Sequence, residues 1–225
     1  MYPIPLLSTA ITVHPLFGDS LRGQPHVFDF SSENPVTLCD TTDFTALQSA
    51  VSNVLALNRA SWGIGKYLEP RPTLLRHYPQ MIRERRIYHA GVDITASPGT
   101  PIFSPLDATV FRAGKEEGLG NYGGFVILQH VLDDETFYSF YGHLHTPHRV
   151  KEHDVIARGQ LFAAIGDGSD SGGWFTHTHV QILTERAVAE KRVLQGYVAA
   201  EDLPCIDMLF PSPYPLLRIQ YARYP

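Results

Sequence analysis

The sequence has few cysteines, no long apolar run and no dense cluster of positive charge. Its two cysteines, Cys39 and Cys205, lie far apart, so they form neither a CxxC pair nor a disulfide framework, and we expect free thiols. No apolar run reaches the roughly 18 residues that a membrane-spanning helix needs. The net charge is −5, and the only basic cluster, "RERR" at 83–86, contains an acid. This composition predicts no membrane span and no nucleic-acid surface.

The N-terminal residues also lack the sequence pattern of a secretory signal peptide. The stretch "MYPIPLLSTAITVHPLFG" has no basic start, and prolines interrupt its apolar runs. The compartment is therefore unknown, with the cytoplasm as the expectation from this feature alone.

Short β-rich runs separated by Gly, Pro and Asp dominate the chain after residue 86. They predict a mainly β fold, an antiparallel sandwich or barrel. One N-terminal helix is predicted over 42–57, with Thr42 or Asp43 as its cap, and a short helix within 184–194. Three prolines in "LEPRPTLLRHYPQ", at 68–80, exclude a regular element there.

A chain of 225 residues fits one globular domain. Within it we predict three parts. Residues 1–80 form an N-terminal extension packed on the core, 81–185 form the core itself, and 186–225 form a Pro-rich C-terminal extension.

Histidines are grouped in three stretches of the predicted core. The stretches are "HAGVD" with His89 and Asp93, "YGHLH" with His143 and His145, and "HTH" with His177 and His179. Alternation in a strand places His177 and His179 on one face, and likewise Tyr141 and His143. A catalytic zinc site needs three protein ligands and an open position for water. These stretches supply enough ligands, with histidines left for proton transfer, and there is no HExxH helix motif.

The motifs also occur in a recognisable order. "HAGVD" is followed by "GTPIFSPLDATVFRAG", "GLGNYGGFVILQH", "FYGHL", "VIARGQLFAAIGDGS" and "HTH", over roughly residues 87–183. As an ordered set they resemble the lysostaphin/LytM-type zinc metallopeptidases, which are peptidoglycan endopeptidases with the duplicated hybrid motif fold.

The resemblance implies roles for five side chains. His89, Asp93 and His179 match the family's ligands for one Zn²⁺ per chain. His143 and His177 match the two histidines that act on the metal-bound water and the tetrahedral intermediate, and either one is the candidate general base. The implied substrate is a peptide or muropeptide. The family usually acts in the periplasm or outside the cell, and residues 1–80 are a candidate cover of the site.

Some flanking residues depart from the family pattern. Thr178 stands where the family has Leu, and Val180 and Gln181 replace Phe-Glu, while Trp174 and Phe175 precede the motif. The two aromatics either pack on the core or line the substrate groove. The roles of His145 and Tyr141 are left open.

Two other functions remain as alternatives at this point. A non-catalytic peptidoglycan-binding or regulatory module would keep the fold without turnover. A phosphoryl carrier with two facing histidines is disfavoured, because a carrier does not need the carboxylate of Asp93.

Overall fold

An eight-stranded sheet forms the largest part of the fold. The computed structural model of the protein describes residues 11–217, and the predictions for 1–10 and 218–225 lie outside them. The strands in this range are β1 (His26–Val27), β2 (Gly63–Gly65), β3 (Tyr88–His89), β4 (Val92–Thr95), β5 (Pro101–Phe103), β6 (Ala108–Glu116), β7 (Gly123–Leu132), β8 (Glu135–Leu144), β9 (Val155–Ile156), β10 (Leu161–Ala164), β11 (Thr178–Thr184) and β12 (Tyr197–Val198).

The large sheet has the order β1-β2-β4-β11-β8-β7-β6-β9, and β5–β10 and β3–β12 form two small sheets. All neighbouring strands pair antiparallel except β1 and β2, which are parallel. The mainly β class is confirmed. The sheet does not close on itself within residues 11–217, so the barrel alternative is wrong, and the sandwich arrangement stays a prediction.

Helices are few and mostly short. They are α1 (Pro35–Leu38), α2 (Phe44–Leu57), α3 (Pro79–Arg83), α4 (Glu185–Ala189) and α5 (Tyr214–Leu217), with a 3-10 helix at Ala200–Met208. The predicted helix over 42–57 is α2, and the carboxylate of Asp43 caps it by accepting from two backbone N–H groups of its first turn. The predicted helix within 184–194 is α4. Helix α3 begins inside the stretch predicted to lack regular structure, because proline is tolerated in a first helical turn.

Strand β8 is buried along most of its length because both of its faces are covered. Phe140 and Tyr141 lie in the main apolar core, whereas Phe137 packs into a smaller cluster with Leu106 and Leu216. This explains the nearly continuous apolar and aromatic sequence of the strand.

A second apolar core joins the N-terminal part of the chain to the residues that directly precede β11. Its buried members are Phe28, Phe30, Val36, Leu47, Val51, Leu74, Leu75, Tyr78, Trp174 and Phe175. Strand β2 also pairs with β4 in the large sheet. Residues 26–78 are therefore built into the same sheet and core as the later strands.

The predicted free thiols are confirmed, since both Cys39 and Cys205 are unbridged. Within residues 11–217, no helix is long and apolar enough to cross a membrane.

His130 is a buried polar residue of β7, distant in sequence from the predicted site. Its Nδ1–H donates to the carbonyl of Asp107 (3.0 Å), and its Nε2 accepts from the Ser139 hydroxyl (2.7 Å). Burial lowers the pKa of His130 to about 4. The imidazole therefore stays neutral in the folded protein and has a structural role.

We expect this histidine to make stability depend on pH. Its pKa is lower in the folded than in the unfolded chain, so the unfolded chain binds more protons and stability falls as pH drops below about 6.5. Between pH 7 and pH 5 its share of the lost unfolding free energy is about 2 kcal/mol. In His130→Asn, the difference in unfolding free energy between the two pH values should shrink by that amount in urea titrations. The exposed His153→Asn is the control, and an unchanged difference in His130→Asn would contradict the assignment.

Candidate metal centre

Three strands bring His89, Asp93 and His179 together. His89 ends β3, Asp93 lies in β4, and His179 lies in β11 directly opposite Asp93 in the antiparallel register. Gly91 allows this approach, because a Cβ atom there would lie 2.5 Å from His179 Nε2. The small residue between the histidine and the aspartate of "HAGVD" is thus required by the packing of the third ligand candidate.

The three side chains point one atom each at a common centre. Nε2 of His89, Nδ1 of His179 and Oδ1 of Asp93 are separated by 2.9, 3.1 and 3.2 Å. A tetrahedral ion with bonds of about 2.0–2.1 Å has ligand–ligand edges of about 3.3 Å. All three groups are buried, and their geometry and chemistry fit a metal ion.

Both histidines are held in the tautomer that leaves the inward nitrogen unprotonated. His89 Nδ1–H donates to the carbonyl of Lys66 (3.0 Å), and His179 Nε2–H donates to Gln181 Oε1 (2.8 Å). The amide of Gln181 is itself oriented, because its Nε2 donates to the carbonyl of Gln195 (3.2 Å). A metal-binding histidine ordinarily donates its other ring N–H to such an acceptor. The departure at Gln181 therefore preserves the acceptor that His179 needs.

His143 and His177 lie side by side next to this triad. Their ring centroids are 4.3 Å apart, and His177 Nε2 is 3.5 Å from Asp93 Oδ1. Each donates Nδ1–H to a backbone carbonyl, His143 to Ser171 (2.9 Å) and His177 to Phe175 (2.7 Å). Both therefore carry an Nε2 lone pair that can accept a proton.

A β-bulge directs His143 into the site. In the β7–β8 pairing Gly124 opposes Leu144 and Phe125 opposes Gly142, so His143 is the extra residue, with φ of +59°. The bulge interrupts the alternation that predicted a common face for Tyr141 and His143. Tyr141 instead packs against Phe162 in the core, and it does not line the site.

A buried ion-pair network holds Asp93 through Oδ2, the oxygen that faces away from the histidines. Arg71 Nη1 donates to Asp93 Oδ2 (2.7 Å), and Arg71 Nε donates to Glu69 (3.1 Å). Arg71 is 1% exposed and Glu69 is fully buried. Gly65 makes room for them, since a Cβ there would meet both Arg71 and Asp93 within 3.0 Å.

These charges and the burial set the protonation of the site. Burial, assisted by the charge of Arg71, lowers the pKa of His89 to about 3. Burial also lowers the pKa values of His143 and His177. Although burial alone would raise the pKa of Asp93, the charge of Arg71, which donates to Oδ2, holds that pKa well below its ordinary range. Ionised carboxylate and neutral imidazole are the forms that bind metals.

A pocket of about 520 Å³ opens over the five predicted residues. Trp174 and Phe175 are among its lining residues and also belong to the second core, so their packing on the core is observed and their contact with substrate stays a prediction. Tyr122 lines it as well, with its ring 5.2 Å from that of His179 and 5.5 Å from that of His143. The predicted site residues thus share one cavity.

Not every candidate belongs to this cavity. His145 has a side chain 59% exposed, contacts Asp170 at 3.3 Å and does not line the pocket. Conversely, Glu69, Arg71 and Tyr197 were missed from the sequence. The only signal for Glu69 and Arg71 was that they are a pair of charged residues in the Pro-rich stretch "LEPRP", which gives no indication of burial. Tyr197, whose hydroxyl accepts from Arg71 Nη1 (3.3 Å), had no such signal.

Comparison with known proteins confirms the resemblance drawn from the motifs. Residues 87–190 match peptidase family M23. An uncharacterized metalloprotease of Haemophilus influenzae is 32% identical over 94 residues, which are 42% of this chain and 18% of that protein. The chain thus matches less than a fifth of the length of this relative.

Solved structures of peptidases are also similar over part of the chain. A zinc-containing peptidase from Vibrio cholerae has 24% identity and a TM-score of 0.35, covering 43% of this chain and 27% of that one. Lysostaphin from Staphylococcus simulans has 23% identity and a TM-score of 0.37, covering 58% of this chain and 44% of that one.

We expect Arg71 to support metal binding through Asp93. Arg71→Lys keeps a charge but loses the planar fork that bonds two carboxylates at once, so Asp93 is held less firmly. Zn²⁺ affinity, measured by competition with a chelator, should fall about 10- to 100-fold, as is typical for partners of metal ligands.

The matched control for this variant is Arg76→Lys. Arg76 also lies in the N-terminal part and donates to several backbone carbonyls, but it does not contact the site. Its substitution should cost stability without changing zinc affinity. Equal zinc affinity in Arg71→Lys and the wild type would contradict a supporting role.

Proposed function

We propose that the protein is a zinc-dependent metalloendopeptidase that hydrolyses peptide bonds in peptidoglycan-like peptides. The match of residues 87–190 to peptidase family M23 supports the metallopeptidase class. The observation that carries the proposal is the buried triad of His89, Asp93 and His179, with its three donor atoms at tetrahedral spacing beside two further histidines.

Zinc is the metal that this set of donors favours. Two neutral imidazoles and one carboxylate match the N/O ligands of catalytic zinc sites, which keep a fourth position for water. The thiolates of zinc, copper or iron–sulfur sites are missing from the cluster, and the all-oxygen shell of calcium or magnesium is missing too. We therefore assign His89, Asp93 and His179 as ligands of one Zn²⁺ per chain.

The bound ion would supply an acidified water and polarise the scissile carbonyl. The remaining chemistry falls to His143 and His177. Both present an Nε2 lone pair, so either can take a proton from the water. The imidazolium so formed is a donor and can return the proton to the leaving amine.

The backbone acceptors of these two histidines fix their direction. Because each Nδ1–H is bonded to a carbonyl of the chain, ring rotation would break a buried hydrogen bond. The two Nε2 atoms are therefore oriented before substrate arrives, which is what a positioned acid–base pair requires.

We expect substitution of a metal ligand to abolish zinc binding, and substitution of the candidate general base to slow turnover without loss of zinc. Purified protein should hold about one Zn²⁺ per chain by elemental analysis, and His179→Ala should lose it, because two ligands bind zinc poorly. His177→Ala should keep zinc but lose at least about 100-fold in cleavage rate, the usual contribution of a general base.

Cleavage is best read by mass spectrometry of purified muropeptides and glycine-rich peptides incubated with the zinc-loaded protein. His153→Ala, an exposed histidine outside the pocket, serves as the control for both variants. Zinc binding without cleavage of any peptide would favour the non-catalytic module instead. Full activity in His177→Ala would exclude its proposed role.

A further inference from the structure

Resting on the proposed function, we propose that Arg86 and Arg83 form a subsite for a substrate carboxylate, which selects short peptides that carry a negative charge near the scissile bond. The pocket over the metal centre is the basis of this inference.

The shape of the pocket favours a small ligand. Its volume of about 520 Å³ lies in the range of small-molecule sites rather than of long open grooves. Residues 71–86 form one wall, 116–122 and 174–175 form others, and 194–197 close a further side. The first of these walls comes from the part of the chain that precedes the family match.

An aromatic stack fixes that wall to the core. The rings of Tyr78 and Trp174 are parallel within 20°, with centroids 4.7 Å apart. The hydroxyl of Tyr78 donates to the carbonyl of Thr41 (2.8 Å). The segment carrying Arg83 and Arg86 is thus anchored beside the metal centre at Tyr78.

Apart from the histidines, the side chains that line the pocket carry three positive and two negative charges. Asp93 is paired with Arg71, and Glu116 accepts from the backbone N–H of Tyr122 (3.2 Å). Arg83 and Arg86 are the other charged side chains among the lining residues, apart from the histidines. Within the described chain, Arg83 forms no ion pair shorter than 4.0 Å.

Arg86 lines the pocket that opens over the candidate metal centre. Its Nε donates to Glu84 (2.6 Å), which leaves both terminal nitrogens of the guanidinium for another acceptor. Arg86 and Tyr122 line the same pocket. Because Tyr122 packs against His143 and His179, a carboxylate bound by Arg86 would lie close to the reacting bond.

A carboxylate is the natural partner of such a side chain. Arginine presents a planar fork that matches carboxylate geometry, and the bond is charge-assisted. The carboxylate has two possible sources, namely the C-terminus of a short peptide or an acidic side chain. The C-terminal source would make the enzyme act near chain ends, whereas the other would make it select an internal acidic residue.

The test compares peptides that differ only in this charge, with the zinc-loaded full chain. The probes are acetyl-tetraglycine as free acid, the same peptide as C-terminal amide, and acetyl-Gly-Glu-Gly-Gly amide. Dissociation constants are measured by titration calorimetry, and cleavage by mass spectrometry. The variants are Arg86→Gln and its neighbour Arg85→Gln, which is exposed and does not line the pocket.

We expect a charged peptide to bind roughly tenfold more tightly than the neutral amide, the size of one charge-assisted hydrogen bond. Arg86→Gln should abolish the difference, and Arg85→Gln should retain it. Preference for the free acid assigns the C-terminal source, and preference for the glutamyl amide assigns the side chain. Equal binding of all three peptides, no binding, or a preference that survives in Arg86→Gln would overturn the subsite.

The result is independent of whether the protein is a peptidase. Charge-selective binding without cleavage would support the subsite and count against the proposed function. Cleavage without charge-selective binding would support the proposed function and count against the subsite.

Discussion

The carboxylate of Asp93 is the group on which the site depends, because its two oxygens face different partners. Oδ1 approaches three histidine nitrogens at 3.1–3.5 Å, and Oδ2 accepts from Arg71 at 2.7 Å. A buried carboxylate costs several kcal/mol unless it is paired. Arg71, in turn buried and held by Glu69, supplies that pair from a different part of the chain. One ionised group therefore links the metal centre to the N-terminal segment.

This link explains why residues before the family match cannot be regarded as a simple cover. Strand β2 pairs with β4, the carbonyl of Lys66 orients His89, and Arg71 neutralises Asp93. Each of these contacts acts on a ligand candidate. Occlusion of the site by residues 1–80 stays a prediction, but removal of the whole segment would also remove the support of the ligands. A truncation that lost activity would thus not by itself argue against latency.

The sequence allowed the five central residues to be chosen because their motifs combine residue type, spacing and order. Helix α2 was equally predictable, since its apolar period and Asp43 are local signals. The pairing of Arg71 with Asp93 was not, because it joins positions 22 residues apart through tertiary packing. The direction of the His143 side chain could not be predicted either, because a β-bulge depends on the register of two paired strands and not on local alternation.

The departure from the family pattern at Gln181 affects His179, because Gln181 accepts its Nε2–H. The resemblance would place a carboxylate where Gln181 stands, and a carboxylate acceptor makes an imidazole a stronger electron donor. The neutral amide of Gln181 keeps the hydrogen bond without that charge. Arg71 acts in the same direction, because it draws electron density from Asp93. Both features would leave more positive charge on a bound ion, and a more electrophilic ion acidifies its water more strongly. Gln181 and Arg71 thus both favour a site that is poorer in ligand electron density.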